Sequence, residues 1–197
     1  GCGKTRIAHQ LPRLLPALSR KEALSIMRIH SVAGQLHGID QLQQQRPFRS
    51  PHHSCSAAAL LGGERSPRPG EVSLAHGGVL FLDELAEFPR AVLDQLRQPL
   101  EHGAVQISRS QQSTLFPALV TLVAATNPCL CGWHGDRDHG CRCSINQRQR
   151  DWQRLSGPLL DRLDLQLRLE RRSANAVAAV LKQPSPTQAS ASRCTPA

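Results

Sequence analysis

Two pairs of residues in this chain have the types and spacing for phosphate chemistry. Lys4-Thr5 follows Gly1-Cys2-Gly3, and Asp83-Glu84 closes the apolar run Val79-Leu80-Phe81-Leu82. The first five residues match the second half of a phosphate-binding loop, G-x-x-x-x-G-K-[ST]. Gly1 and Gly3 let the backbone approach phosphate oxygens, which a side chain would block. Residues 1–5 are therefore read as a nucleotide cradle for ATP, with Cys2 inside it. Lys4 would reach the β- and γ-phosphates, and the Thr5 hydroxyl would bind Mg²⁺. A metal shell begun by a hydroxyl needs a carboxylate to complete it. Asp83 would hold that shell and Glu84 would polarise the attacking water. Taken alone, Val79–Glu84 fits equally well a buried strand that ends in two surface acids.

The elements that must position these groups follow from periodicity. A continuous apolar run suits a strand buried on both faces of a parallel sheet. Ligands of open α/β sheets sit at the strands' C-terminal ends, where the carboxylates fall. Lys4 to Leu11 predicts a helix that Pro12 and Pro16 break or turn. Lys21 to Ser31 predicts a second helix. The prolines of Arg46–His53 predict an extended segment. Its two Arg and two His suit either phosphate contact or a solvated loop. A short helix is expected near Val72 to His76. Arg90 to Glu101 predicts a helix with Val92, Leu93, Leu96 and Leu100 on one face, ended by Gly103. Val105–Ser108 and Ser113–Phe116 predict a hairpin with Arg109 at its polar turn.

Leu119 to Ala125 predicts another buried strand, ending at Thr126-Asn127-Pro128. Asn127 there either orients the attacking water or serves as a turn residue before proline. A basic helix is expected from about Ile145 to Leu155, a turn or short helix over Leu159–Asp164, and a last strand over Leu165–Leu169. Arg162 sits between carboxylates, as a local salt bridge or as an arginine finger acting on a neighbouring subunit. Residues 173–197 have the composition of a disordered tail.

A second constellation is Cys129-x-Cys131 with Cys141-x-Cys143. Four thiolates can hold zinc tetrahedrally, with His134 and His139 as possible substitutes, and free thiols are the alternative. Four thiolates leave no open position, which excludes a catalytic zinc.

Composition bounds the rest. The chain has 197 residues, 40% of them apolar, with no tyrosine and 3% aromatics, so its core must be Leu, Val, Ile and Ala. Lys and Arg number 24 against 15 Asp and Glu, a net charge of +9 that suits a polyanion such as nucleic acid. No apolar run reaches membrane-spanning length and no signal peptide is visible. Four of the seven cysteines cluster within fifteen residues, which argues for a reducing cytoplasm over a disulfide scaffold.

In their order, these motifs resemble the AAA+ ATPases related to the magnesium chelatase I subunit. Within that family they resemble most the competence-protein group, ComM and YifB. The likeness covers residues 1–172. It is carried by Ile29–Gly34, Arg46–His53, Val79–Leu85, Asn127–Gly132 and Ser156–Leu165. It implies that Lys4 and Thr5 are Walker A, Asp83 and Glu84 Walker B, Asn127 sensor 1 and Arg162 the finger. The 103–118 hairpin would face the pore of a hexameric ring, where Arg109 would meet DNA. The implied activity is Mg²⁺-dependent ATP hydrolysis coupled to DNA branch migration in recombination. A chelatase motor for Mg²⁺ insertion into porphyrin, or an inactive remnant that binds nucleic acid, are the alternatives. The fold expected is an α/β AAA+ core, with a parallel sheet flanked by helices, read as a piece lacking the first strand and the helical lid.

Overall fold

The computed structural model describes residues 3–36, 42–63, 67–109, 112–136, 139–155 and 157–169, without the side chains at 109, 112, 150–152, 154 and 158. The expectations for Gly1, Cys2, residues 173–197 and the Arg109 side chain lie outside these residues. Residues 3–167 cluster as one unit.

The expected parallel sheet is present. β1 (Phe48–Arg49), β2 (Val79–Leu82) and β5 (Thr121–Ala124) pair in the order β1-β2-β5, both pairs parallel. β2 is central and all four of its residues are buried. Successive side chains of a strand point to opposite faces. Leu80 and Leu82 enter one apolar cluster, and Val79 and Phe81 enter a second. Burying each of these side chains contributes roughly 1.5–3 kcal/mol, so β2 is held from both sides.

Helices cover both faces. On the Phe81 side lies α1 (Lys4–Leu14), through Ala8 and Leu11. On the Leu80 side lie α3 (Ala57–Leu61), α4 (Glu71–Leu74), α5 (Arg90–His102) and α7 (Gly157–Leu160). Their Leu60, Val72, Leu93, Leu96 and Leu159 are fully or almost fully buried. The hairpin of β3 (Ala104–Arg109) and β4 (Gln112–Pro117) roots in the same cluster through Val105, Ile107 and Phe116. Two helices stand outside that list. α2 (Arg20–Val32) opens with a Ser19–Glu22 capping box, which satisfies two orphan amides, and buries Ala23, Ile26 and Ile29. α6 (Ile145–Arg154) is the expected basic helix.

Three expectations change. Pro12 does not end α1, which runs on to Leu14. Its missing N–H falls in the final turn, where it costs a single hydrogen bond. The second strand is shorter than Leu119–Ala125 and only half-buried: Leu119 is exposed, and β5 has a described neighbour on one side alone. Leu165–Leu169 is not a strand, because no described strand lies beside it to supply ladder partners, and Leu165 and Leu167 stay exposed.

The proline-rich segment is structural. The Arg46 guanidinium donates to the carbonyls of Pro16 (2.7 Å) and Gly77 (2.6 Å) and to Glu22 (3.1 Å). Arg49 grips Glu71 with two hydrogen bonds, 2.6 and 2.7 Å. Both arginines are thereby committed within the fold. Gly78 admits the close approach of this segment to β2: a Cβ there would lie 2.0 Å from the Pro47 carbonyl oxygen.

His76 ties α2 to the loop before β5. Its Nδ1 accepts the Leu119 N–H (3.1 Å), and its Nε2 meets the Ser25 hydroxyl (3.1 Å). Burial lowers its pKa, and nearby Glu22 opposes that only in part. The folded state therefore disfavours the protonated ring, and protonating Nδ1 also removes the Leu119 bond. Stability is fully present above the unfolded value of about 6.5 and should fall as pH drops below it. In the full-length protein, His76→Gln should flatten the loss of denaturation midpoint between about pH 7 and 5, read by urea titration.

Candidate functional site

The C-terminal ends of β2 and β5 face the start of α1. Gly3 precedes the helix in the left-handed region (φ 76°), where a glycine carries no steric penalty. Ala8 turns inward toward β2, and Lys4, one turn earlier, shares its face. Lys4 Nζ donates to the Thr126 carbonyl (3.1 Å) and to Asn127 Oδ1 (2.6 Å). The Thr5 hydroxyl donates to Asp83 Oδ2 (2.8 Å), and Asp83 Oδ1 accepts the Glu84 amide (3.0 Å). Lys4, Thr5, Asp83, Glu84 and Asn127, separated by up to 123 positions, thus form one group.

Glu84 has φ 53° and ψ 47°, and it is the one non-glycine residue with positive φ among those described. Such a conformation costs on the order of 1–3 kcal/mol and persists where the surroundings impose it. Here Leu85 is fastened behind it by its amide to the Ala125 carbonyl (2.8 Å), and Leu85 is buried. Ahead of it, the Glu84 carboxylate meets His53 Nδ1 at 3.2 Å, and the His53 ring lies 4.0 Å from that of His52, tilted by 34°. A small cleft lined by Glu84, Ala86, Glu87, Thr126, Asn127, Cys129 and Leu130 opens beside this turn.

Arg162 is not brought to this group. Its guanidinium pairs with Glu101 at the end of α5, and Glu101 also holds Arg97. His53 is the residue that sequence reasoning did not single out as a partner of Glu84. Only its place in a histidine pair after an extended segment marked it, and the contact itself is tertiary.

A larger cavity of about 360 Å³ lies between α5 and β3, near Gln95, Gln98 and Gln106. Among the described residues, its lining carries no charged side chain.

The four cysteines converge. The sulfurs of Cys129, Cys131, Cys141 and Cys143 lie within 4.8 Å of one another, and none is bonded to another. Hydrogen bonding from the Trp133 backbone is the main cause that draws the Cys131 thiol down to about 6. The Cys143 thiol is pushed up to about 11: a backbone hydrogen bond with Cys131 opposes this, but the neighbouring sulfurs and burial outweigh it. One thiolate forms readily, and its neighbours then resist a second negative charge. The two histidines stand apart, His134 against Arg148 (2.8 Å) and His139 against Asp136 while stacked on Trp133.

In chemical terms the group at the strand ends offers an ammonium, a hydroxyl–carboxylate pair of hard oxygen donors, a carboxylate held by an imidazole, and an amide. The site is thus a Lys-Thr opening a helix beside the acidic end of the central strand of an α/β sheet. Residues 1–177 match the family model described as magnesium chelatase, subunit ChlI, and the chain belongs to that family. It is 50% identical to the competence protein ComM of Haemophilus influenzae over 167 residues, 85% of this chain and 32% of that protein. It is 49% identical to the uncharacterized protein YifB of Escherichia coli over 169 residues, 86% of this chain and 33% of YifB. An uncharacterized protein of Mycobacterium tuberculosis is 48% identical over 91% of this chain and 35% of its own length. The chain thus spans about a third of the length of these relatives. Among the described residues, no helix is long and apolar enough to cross a membrane.

The strain at Glu84 generates a stability test. Glu84→Gly removes a side chain from a left-handed position. It should stabilise the fold by about 0.5–1 kcal/mol in chemical denaturation of the full-length protein, provided the His53 contact is exposed enough to contribute little. A destabilisation of similar size would assign more to the His53–Glu84 pair than to the backbone.

Proposed function

We propose that this chain is the catalytic core of an ATP-hydrolysing motor of the AAA+ type that works on DNA in the cytoplasm. The observation that supports the reading most is the Thr5–Asp83 hydrogen bond of 2.8 Å with Lys4 beside it. Two hard oxygen donors on adjacent elements suit Mg²⁺, and a lysine at a helix start suits the phosphates. Mg²⁺ bound there would neutralise charge on the transferring phosphoryl group. In this reading Lys4 exchanges its contacts with Thr126 and Asn127 for β- and γ-phosphate oxygens. Glu84 polarises the attacking water, and His53 keeps the carboxylate in place. Asn127 orients that water or the γ-phosphate. Gly1, Cys2 and Gly3 contribute backbone amides to the cradle. Arg162 serves the site of a neighbouring subunit in a hexameric ring, leaving its Glu101 contact to do so.

The DNA partner is inferred from the net charge of +9, the hairpin carrying Arg109 and the name of the ComM relative. Hairpins lining a ring would meet the phosphate backbone, a contact that is independent of sequence and weakens steeply with salt.

Two measurements on the full-length protein test the reading. Glu84→Gln should bind ATP and lose turnover by about 100-fold or more, because water loses its general base. Arg162→Ala subunits, inactive alone, should regain ATPase activity when mixed with Glu84→Gln subunits, since a mixed interface restores one intact site. Undiminished turnover in Glu84→Gln removes Glu84 from its role, and silent mixtures despite subunit exchange remove Arg162 from its own.

Single- or double-stranded DNA should raise the ATPase rate irrespective of sequence, with less effect as salt rises, and Arg109→Ala should lower the ratio of stimulated to basal rate. A rate that no DNA changes at low salt would favour a motor acting on a protein or a porphyrin chelatase.

A further inference from the structure

The cysteine cluster has no part in the reaction proposed above, yet it adjoins the site. Between β5 and α6 the chain from 127 to 144 forms no helix or strand among its described residues, and Cys129 is its one buried residue there. Leu130, its largest aliphatic side chain, is exposed. A loop of this length without its own apolar core needs another source of order. Its turns are built for convergence. Gly132 and Gly135 adopt positive φ, and the Gly132 amide returns to the Cys129 carbonyl at 2.9 Å. The result sets Cys129 3.4 Å from Cys131 and 3.7 Å from Cys141, with Cys131 to Cys141 at 3.6 Å.

Those separations suit one small tetrahedral ion. A disulfide needs about 2.05 Å, and no pair approaches that. Four sulfurs around one ion at about 2.3 Å form a tetrahedron with edges of about 3.8 Å, close to the spacing found. All four lie within reach of a single centre, unlike the ligands of a multi-iron cluster, which bind separate irons. With His134 and His139 committed elsewhere, the donor set is four sulfurs, and such a closed set is structural.

The ion would act on its neighbour. Cys129 lies two residues after Asn127, with Pro128 between them, and φ of proline is fixed. Cys129 and Leu130 line the same cleft as Glu84 and Asn127. We propose that Cys129, Cys131, Cys141 and Cys143 bind one zinc ion per chain, and that this ion fixes Asn127 beyond the end of β5, where it would meet the γ-phosphate, making the nucleotide site dependent on a metal outside it. The metal site stands by itself; the coupling rests on the nucleotide-site reading.

The test uses full-length protein purified without chelator. Metal analysis should find about one zinc per chain, released by a mercurial reagent and detected with a metallochromic dye. Cys129→Ser with Cys141→Ser should abolish it, and Cys143→His, which keeps four ligands, should retain it. Binding of a fluorescent ATP analogue should weaken about tenfold when zinc is removed from the wild-type protein and recover on adding zinc, with circular dichroism reporting the helices throughout. No metal overturns the metal site, and iron in place of zinc overturns the assignment of the ion. Stoichiometric zinc with analogue affinity unchanged by its removal overturns the coupling. No analogue binding even with zinc in place overturns the nucleotide-site reading, and the coupling with it, while the metal site stands.

Discussion

The burial of β2 on both faces is the constraint from which the rest follows. Leu80 and Leu82 belong to one cluster, Val79 and Phe81 to the other. Sliding the strand by one residue would exchange every side chain between the two. The same slide would draw Asp83 into an apolar interior, where an ionised carboxylate is costly. The strand's end is therefore set to within one residue, and with it the place of the two acids. α1 is indexed to the same strand through Ala8. Because residues four apart share a helix face, Lys4 and Thr5 arrive over the strand ends as a consequence of packing one turn away.

The polar contacts then divide into those that build the fold and those that leave chemistry available. Arg46 and Arg49 are consumed by carbonyls and by Glu71, in contacts that hold the prolyl segment against β2. The Arg49–Glu71 pair raises the arginine's pKa chiefly through hydrogen bonding, against the opposing effect of burial. Lys4, Thr5 and Asp83 make exposed or part-buried contacts at the strand ends, and Glu84 lines the cleft beside them. The left-handed backbone of Glu84 is the one place among the described residues where a side chain other than glycine's accepts that conformation. Strain is retained where a carboxylate must point away from its strand.

The cysteine loop obeys different physics from the core beside it. The core orders its residues by removing apolar area from water. The loop buries one cysteine and relies on glycine turns and convergent sulfurs. Its position directly after Asn127 brings these two kinds of order together at one cleft.

Much of this was legible in the residues. The Val79–Leu82 run suited a strand buried on both faces, Arg90–Glu101 declared its buried face by spacing, and glycine before Lys-Thr marked a helix start. These signals are local, because periodicity and turn chemistry act over a few residues. The extent of α1 past Pro12 and the absence of a strand at Leu165–Leu169 were not legible. One depends on where in the helix the missing bond falls, the other on whether a neighbouring strand exists. The commitment of Arg46 and Arg49 to carbonyls and Glu71, the His53–Glu84 contact and the exclusion of His134 and His139 from the sulfur cluster were likewise decided in three dimensions. Each depends on what a side chain finds across the fold, and a sequence states what a residue can bind without stating what it will meet.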